Sequence, residues 1–522
     1  MRISTAQFYE TSATSYSKNF SDAAKTQAQV SSGVRIQTAA DDPVGAARLL
    51  LLQQQSALLG QYNANITTVN NALLQEESVL STINEAMQRA SELAIRAGGG
   101  SLSDADRTSI SSELKEIEAN IFGLLNSRDA NGNYMFGGSK TSSPPYVRNS
   151  DGTYSYHGDQ TQLSLQVSDT LHLATNDTGF SIFDQATNKS RTQSSLQAPA
   201  TDDGRVNVSQ GLLSSVNTYN NGGFAKGQPY TLTFTSATTY SITDANGNDI
   251  TSETPTNGVF DSKAEGGNRI ALRGVEFEIG VSLKEGDDPD TAVAGHVFKL
   301  EARPDTLTST RSAGNPSLTQ ITGSTITDAD AYRSGFPSDG AVIKFTSATD
   351  YEMYAQPYTA DSKPLAAGTV TGSSLTVAGV TYQLDGTTPA AGDQFAVSAN
   401  THKTQNVLET LGQLRAALDT PVTGEKSEFA LKQAVGSAIA NLASARERID
   451  ITRGSIGARG NSLDIQTLEN SSLALANKST QSAIGNTDMS TAAITLTLQQ
   501  AMLEASQMAF SRLSQLSLFN KL

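Results

Sequence analysis

The sequence predicts a mixed α and β protein, in which long coiled-coil helices from both termini form inner and rod-like domains, with outer β-rich domains inserted between them. Three observations predict this class: heptad spacing of apolar residues at both ends, short alternating runs in the middle, and a motif that occurs twice in the middle. A period of 3.5 residues is typical of helices that pack on other helices, and a period of two is typical of strands. The chain of 522 residues therefore divides into helical ends and a β-rich centre.

The first helix is predicted from steps of alternately four and three residues, which put side chains on one side of a helix. The next segment, TAADDPVGAARLL, contains Asp42 and Pro43. These two residues are typical of a helix start, because the carboxylate caps free backbone N–H groups and proline suits the first turn. The line of the first helix consists of Tyr9, Ala13, Tyr16, Phe20, Ala23, Gln27, Val30 and Val34.

A second, longer helix is predicted from seven heptads, a strong indication of packing against partner helices. The three glycines 98–100 are expected to end it, and Ser103 is expected to cap a third helix. The heptad residues are Leu52, Leu59, Ile66, Leu73, Leu80, Met87 and Ala94.

The C-terminal hundred residues repeat this pattern. A four–three line runs from Leu431 to Ile456, and the glycine-bearing stretch 452–461 is expected to interrupt or loosen it. In the last segment, Met489, Leu496, Leu503 and Phe510 recur every seven residues. Two stripes on one helix indicate neighbours on more than one side; the second stripe consists of Ile494, Leu498, Ala501, Ala505 and Met508.

The centre of the chain carries strand patterns and an internal repeat. The segment FTSATTY at 234–240 recurs as FTSATDY at 345–351. A second pair of similar segments is followed in each case by Gly-Asp, at 286–287 and at 392–393. We therefore predict two related β modules, near 229–303 and 340–400.

Composition excludes several classes of function. The chain has no Cys and no Trp, and its four His residues are scattered singly, which argues against a disulfide framework and a zinc cluster. Residues 200–400 hold 23 Asp and Glu against 12 Lys and Arg, which gives −11 of the net charge of −15. An acidic chain does not suit nucleic acid, and an acidic insertion suits a solvated outer surface.

Neither an enzyme nor a membrane protein is predicted. The sequence has no GxSxG, HExxH or P-loop motif, so we expect no catalytic residues, no metal and no cofactor. It also has no run of 18 apolar residues and no apolar stretch near the N-terminus that is typical of a cleaved signal. We therefore expect no membrane insertion, and either a cytoplasmic chain or export without a cleaved signal.

Three polar motifs have competing interpretations. The pair Asp41–Asp42 before Pro43 is favoured as a helix cap over a metal or catalytic pair, because no other ligands cluster with it. The DANGN segments at 129–133 and 244–248 are favoured as turns over calcium loops, because Asn-Gly is a strong hairpin signal. Arg35 could contact a neighbouring subunit or pair with a nearby carboxylate, and the sequence does not decide between these.

The segment SSGVRIQTAADDPVGAARLL, at 31–50, resembles the signature of the flagellin superfamily. Four further features resemble the hook-associated protein 3 family within it: the opening MRIST, the stretch ADDPVGAARLLLLQQQ, the segment NYMFGGSKTSSPPY at 133–146, and the ending SLFNKL. The matches cover about the first 180 and the last 120 residues. Flagellin itself is the nearest alternative, and an adhesin or glycan-binding role for the insertion is a more distant one.

This resemblance implies a secreted structural subunit at the hook–filament junction, which forms a ring with copies of itself. It implies hook-associated protein 1 and flagellin as partners, and export through the flagellar type III apparatus with a cytoplasmic chaperone. The domains are then expected at 1–42 with 480–522 (inner coiled coil), 43–180 with 401–479 (helical rod with a β-hairpin), 181–320 (outer β domain, first repeat) and 321–400 (second repeat).

The expected subunit interface follows from the terminal stripes. A lone amphipathic helix has nothing to cover its apolar stripe, so we expect the termini to fold when the subunit joins the assembly. The expected interface residues are Tyr9, Tyr16, Phe20, Val30, Val34, Arg35, Met489, Leu496, Leu503 and Phe510, with Asp42 and Pro43 as the helix cap.

Overall fold

The computed structural model describes residues 5–99, 102–149, 152–261, 268–359 and 361–519, without the side chains of 5, 6, 8, 9 and 513–519. Most of the opening MRIST, Gly100 of the expected helix stop and the last three residues of SLFNKL lie outside the described residues. The chain forms two compact units. Unit 1 consists of Met1–Gln75, Leu163–Asn176 and Ser455–Leu522, and unit 2 consists of Glu76–Gln162 and Asp177–Gly454.

Long helices form both ends of the described chain, and β-sheets form its middle, so the predicted mixed fold is confirmed. The described helices are α1 (Thr5–Ser32), α2 (Pro43–Ala97), α3 (Asp104–Leu125), α4 (Val216–Asn220), α5 (Phe224–Gly227), α6 (Pro289–Val293), α7 (Ala329–Gly335), α8 (Val407–Asp419), α9 (Glu425–Gly485) and α10 (Met489–Phe519). A π-helical turn lies at Phe180–Asp184 and a 3-10 turn at Thr251–Glu253.

The heptad residues of α2 are buried from Leu59 to Ala94, and Leu52 is half-buried. Leu80 and Met87 are fully buried in unit 2, as are the four–three residues of α9 around Leu442. There α2 and α9 run antiparallel, because Arg446 donates to Asn84 and Arg453 to Glu77. Burying each of these large apolar side chains contributes about 1.5–3 kcal/mol, so this seam holds the helix pair together.

The glycine-bearing stretch 452–461, which was expected to interrupt or loosen the four–three line, does not break the helix itself. Helix α9 runs unbroken for 61 residues through Gly454, Gly457 and Gly460. Each glycine inside a helix costs about 1 kcal/mol relative to alanine. The packing of α9 before and after the glycines outweighs this cost. The predicted cap of α3 is confirmed: Ser103 and Asp106 exchange side-chain to backbone hydrogen bonds in a capping box.

Two short antiparallel hairpins precede the outer sheets. In unit 2, β1 (Tyr146–Arg148) pairs with β2 (Tyr154–Tyr156). In unit 1, β3 (Ser164–Gln166) pairs with β4 (His172–Ala174). The unit 1 hairpin is bound to both long helices of that unit, because Asn65 donates to the carbonyl of Gln166 and Asn470 to that of Val167.

The first module spans 192–302 and contains two sheets. One has the order β5-β12-β8-β9, and the other has the order β10-β11-β6 with β7 also paired to β11. Phe234 and Phe277 are fully buried in the core between them. The strands are β5 (Thr192–Ala198), β6 (Val206–Val208), β7 (Leu212–Leu213), β8 (Tyr230–Phe234), β9 (Tyr240–Thr243), β10 (Asn268–Leu272), β11 (Val275–Val281) and β12 (Val297–Ala302).

The second module spans 306–400 and has a matching topology. Its sheets have the orders β13-β20-β15-β16-β17 and β14-β19-β18, and Phe345 and Tyr382 are fully buried in its core. The strands are β13 (Thr306–Arg311), β14 (Ile321–Ile326), β15 (Ala341–Phe345), β16 (Asp350–Ala355), β17 (Ala366–Thr369), β18 (Ser374–Val377), β19 (Val380–Leu384) and β20 (Gln394–Asn400). The two modules therefore share a strand order, as the internal repeat predicts, but they begin with β5 and β13 and not near 229 and 340.

The proposed match of the two Gly-Asp pairs is wrong. Backbone hydrogen bonds of 2.8 and 2.9 Å join Phe234 to the pair Gly295–His296, and two of 2.8 Å join Phe345 to Gly392–Asp393. The counterpart of Gly392–Asp393 is therefore Gly295–His296, and not Gly286–Asp287. Helix α6 lies between Gly286–Asp287 and β12 in the first module, and this extra segment shifts the spacing on which the sequence match depended.

Candidate functional site

Helices α1 and α10 pair in antiparallel orientation in unit 1. The side chain of Asn19 donates to Ser506 at 3.0 Å, and Gln507 donates to the hydroxyl of Tyr16 at 3.2 Å. At the other end of the pair, Val34 forms an isolated β-bridge with Asn486. These contacts fix which side of each helix faces the other.

The expected interface residues divide into two groups by exposure. Tyr16, Val30, Leu496, Leu503 and Phe510 are half-buried. The exposed residues are Phe20, Val34, Arg35 and Met489, with Phe20 at 57% and Met489 at 50%. Tyr9 lies in α1, but its side chain is outside the described residues. The heptad line of α10 is thus partly covered within the single chain.

The described part of α10 also carries exposed apolar side chains on its other stripe. We call Ile494, Leu498, Met502 and Met508 the α10 stripe; they are between 50% and 70% exposed. From Ile494 onward they recur at steps that keep them near one side of the helix. The second stripe predicted from the sequence includes Ile494, Leu498 and Met508, but the expected interface contains none of these three residues. Contiguous exposed apolar surface of this kind is typical of protein–protein contacts.

The signature segment binds the start of α2 to the end of α9. The guanidinium of Arg35 donates from Nε and Nη2 to the carbonyl of Ile484, at 3.0 and 2.8 Å, and from Nη2 to Asp42 at 3.1 Å. Asp42 also accepts from the backbone N of Gly45 at 2.9 Å, and α2 begins at Pro43. A Cβ atom at Gly45 would crowd the Asp42 carboxylate and the Ile36 side chain, so both would have to shift in a variant with a larger residue there.

Charges in this segment are paired within the chain. Lys25 lies 2.7 Å from Asp41 and is the main cause that lowers the pKa of Asp41 to about 2. The hydrogen bond from Gly45 and the charge of Arg35 lower the pKa of Asp42. Because both pKa values are depressed in the folded chain, these contacts stabilise it above the unfolded pKa near 3.8, and the effect is lost as pH falls toward 2.

Two kinds of site, metal sites and membrane spans, are not found among the described residues. The described ranges contain no group of three or more His, Asp or Glu side chains placed to hold a metal ion. In the part of the chain that the structure describes, no helix combines the length and apolar character needed to cross a membrane. The two DANGN segments are turns, in which Asp129 and Asp244 accept from backbone N–H groups two and four residues later.

Residues 3–141 match the family described as the bacterial flagellin N-terminal helical region. This N-terminal part of the chain is therefore similar to the helical region of flagellins, in agreement with the resemblance of the segment 31–50. Flagellar filament proteins are also similar over shorter stretches; the 41 kDa core protein of Borreliella burgdorferi is 34% identical over 103 residues, 20% of this chain and 31% of that protein.

More of the chain is similar to flagellar hook-associated protein 3. The protein of that name from Salmonella typhimurium is 35% identical over 187 residues, and that from Escherichia coli is 32% identical over 187 residues. In both cases the match covers 36% of this chain and 58% of the relative, so the chain spans under two thirds of the length of these relatives. The resemblance to hook-associated protein 3 predicted from the sequence is confirmed over the matched residues.

The fold is also similar to that of a solved structure. The crystal structure of flagellar hook-associated protein 3 from Legionella pneumophila matches with a TM-score of 0.52 at 19% identity, over 83% of this chain and 98% of that one. At this sequence identity the match indicates a similar fold and nothing about function. It extends over most of this chain, including parts outside the 187 residues that are similar in sequence.

Proposed function

We propose that this chain is a structural, non-catalytic subunit of the bacterial flagellum that forms the junction between hook and filament. The observation that carries the proposal is the similarity to hook-associated protein 3 over 187 residues, at 35% identity. The match to filament proteins is shorter, at 103 residues. The paired termini and the α10 stripe support the same role, because a subunit that lines an assembly needs a surface that stays uncovered in the single chain.

The proposed mechanism is helix packing between copies. Each copy covers part of the α10 stripe of its neighbour in a ring, while the acidic modules stay outside, where like charge opposes close packing. Hook-associated protein 1 lies below the ring and flagellin above it. Before assembly, the chain passes through the type III apparatus with a cytoplasmic chaperone that holds the C-terminal helix.

The second candidate is a flagellin-type filament subunit. It is favoured by the family match of residues 3–141 and by the similarity to filament proteins, both of which concern the region that flagellins share. The two candidates differ in one physical property: a filament subunit adds to its own kind without limit, and a junction subunit does not.

The test is an assembly experiment on the purified chain. We expect the chain to stay soluble with a precipitant, to bind the ends of hooks that carry hook-associated protein 1, and then to allow flagellin to polymerise there. Electron microscopy scores each step, and hooks without hook-associated protein 1 are the control. Long filaments of the chain alone would favour the flagellin candidate, and no binding to hook ends would contradict the junction role.

The terminal helix pair is expected to gain stability on incorporation. In the single chain, Phe20 and the α10 stripe remain exposed, so the pair holds together through few buried side chains. Hydrogen exchange should therefore be fast in α1 and α10 of the free subunit and at least tenfold slower in the hook-bound subunit. Equal protection of α1 and α10 before and after binding would contradict folding on incorporation, whereas the α2 segment around Leu80 should stay protected in both states.

A further inference from the structure

Thioether groups are the side chains of this protein that react most readily with peroxides. The sequence has no Cys, whose thiolate is the usual first target of an oxidant, and it has 7 Met residues. Oxidation of Met gives methionine sulfoxide, in which an apolar side chain becomes polar and chiral. A peroxide that meets this chain therefore modifies its Met residues first.

The described Met residues differ in exposure. Met87 lies in the seam of α2 and Met353 in the core of the second module, and both are fully buried. Met135 is half-buried. The exposed ones all lie in α10 and are Met489 at 50%, Met502 at 50% and Met508 at 59%. A peroxide in solution therefore reaches the thioethers of α10 most easily.

Two of the three exposed Met residues belong to the α10 stripe. Met502 and Met508 are half of its four members, beside Ile494 and Leu498. With about 3.6 residues per turn, Met489 lies on nearly the opposite side of the helix. Oxidation of Met502 and Met508 thus makes the stripe polar, whereas oxidation of Met489 leaves the stripe as it is.

The reaction needs only the thioether and a peroxide. A sulfur lone pair attacks one oxygen of hydrogen peroxide, and the S–O bond forms as the O–O bond breaks. A proton moves from the attacked oxygen to the departing hydroxide, which leaves as water. Sulfur loses two electrons and the peroxide gains them. A methionine sulfoxide reductase reverses the step with a dithiol as the electron donor.

We propose that Met502 and Met508 are sites of reversible oxidation by peroxides, and that their oxidation prevents the α10 stripe from taking part in assembly. In the reduced chain the stripe is apolar, and a neighbouring copy covers part of it. In the oxidised chain the same contact buries sulfoxide oxygens, and each one that finds no hydrogen-bond donor weakens binding by roughly ten- to a hundredfold. The two sites are a property of the single chain, whereas their control of assembly rests on the function proposed above.

The first measurement locates the oxidation sites. The intact chain is treated briefly with hydrogen peroxide and then digested, and mass spectrometry gives the rate at which each Met residue gains one oxygen. We expect Met502 and Met508 to react at least about tenfold faster than Met87 and Met353, since buried thioethers react only after local opening. Equal rates at the exposed and the buried residues would overturn the assignment of the sites.

The second measurement compares assembly before and after oxidation. We expect the oxidised chain to bind hook ends that carry hook-associated protein 1 at least about tenfold more weakly than the untreated chain, and a methionine sulfoxide reductase to restore binding. The double variant Met502→Leu and Met508→Leu keeps an apolar stripe without thioethers, so its binding should withstand peroxide. Met489→Leu retains both stripe thioethers, so peroxide should weaken its binding as it does that of the unchanged chain.

These outcomes separate the oxidation sites from the proposed function. If the untreated chain does not bind hook ends, the junction role and the control of assembly are both overturned, while the peptide rates still decide where the chain is oxidised. If the chain binds equally well before and after oxidation of Met502 and Met508, the control of assembly is overturned and the junction role stands. Weakened binding of the double variant after peroxide treatment would assign the effect to another residue and overturn the control as well.

Discussion

Phe345→Ala is expected to lower the free energy of unfolding of the second module by about 3–5 kcal/mol, the range for removing a buried phenylalanine ring. Phe345 is fully buried, and its ring lies 6.0 Å from Phe395 and 6.1 Å from Tyr351. Both partners belong to the same buried cluster, so removal of the Phe345 ring leaves a cavity within that core. The loss approaches the whole stability of a domain of this size, so the second module should unfold near room temperature.

The repeat supplies a matched variant. Phe234 is the counterpart of Phe345 and is also fully buried, with Phe260 at 5.4 Å and Phe298 at 6.1 Å. Phe234→Ala should therefore expose the first module to exchange, and Phe345→Ala the second. Leu318→Ala, at a side chain that is 82% exposed, should change stability by less than about 0.5 kcal/mol. Denaturant unfolding and hydrogen exchange, with exchange followed separately for each module, measure these effects. If Phe345→Ala left the exchange protection of the second module unchanged, the assignment of this core would be refuted.

The helical parts of the fold could be predicted because their signals are local. Seven heptads form an apolar line that another helix must cover, whether that helix belongs to the same chain or to another. Leu80 and Met87 on this line are fully buried in the structure. The β modules were found through a repeated motif that lies in equivalent hairpins. The strands that open each module, β5 and β13, were missed, because TQSSLQA and TLTSTR are polar segments whose strand character comes from distant partners, β12 and β20.

Sequence patterns do not predict which apolar line of α10 is exposed in the single chain. Helix α10 has two apolar lines, and the line of Leu496 and Leu503 is the one expected at the subunit interface. In the structure these residues are half-buried and the α10 stripe is exposed. Which line faces the chain's own α1 depends on the contacts of Asn19 and Tyr16, more than 480 residues away along the chain. Spacing alone does not contain that information.

The paired variant Ile494→Gln and Leu498→Gln is expected to abolish incorporation while leaving the single chain folded. These side chains are 70% and 60% exposed, so their replacement removes little packing within the chain, and the melting temperature should stay within about 2 °C. In the assembly each would become buried, which contributes about 1.5–3 kcal/mol per side chain. The loss of about 3–6 kcal/mol raises the concentration needed for incorporation by roughly two to four orders of magnitude.

The measurement is binding of the variant to hook ends that carry hook-associated protein 1, scored by sedimentation and electron microscopy, beside its thermal unfolding. Leu318→Gln removes a still more exposed leucine, in the second module, and should incorporate normally. Leu496→Gln and Leu503→Gln act on the side chains half-buried in unit 1, so they should lower protection of the α1 and α10 pair before any assembly step. Normal incorporation of the paired variant would show that the α10 stripe is not an assembly surface. The line of α10 that faces α1 would then be the remaining candidate. A neighbour could cover that line only after α1 and α10 separate.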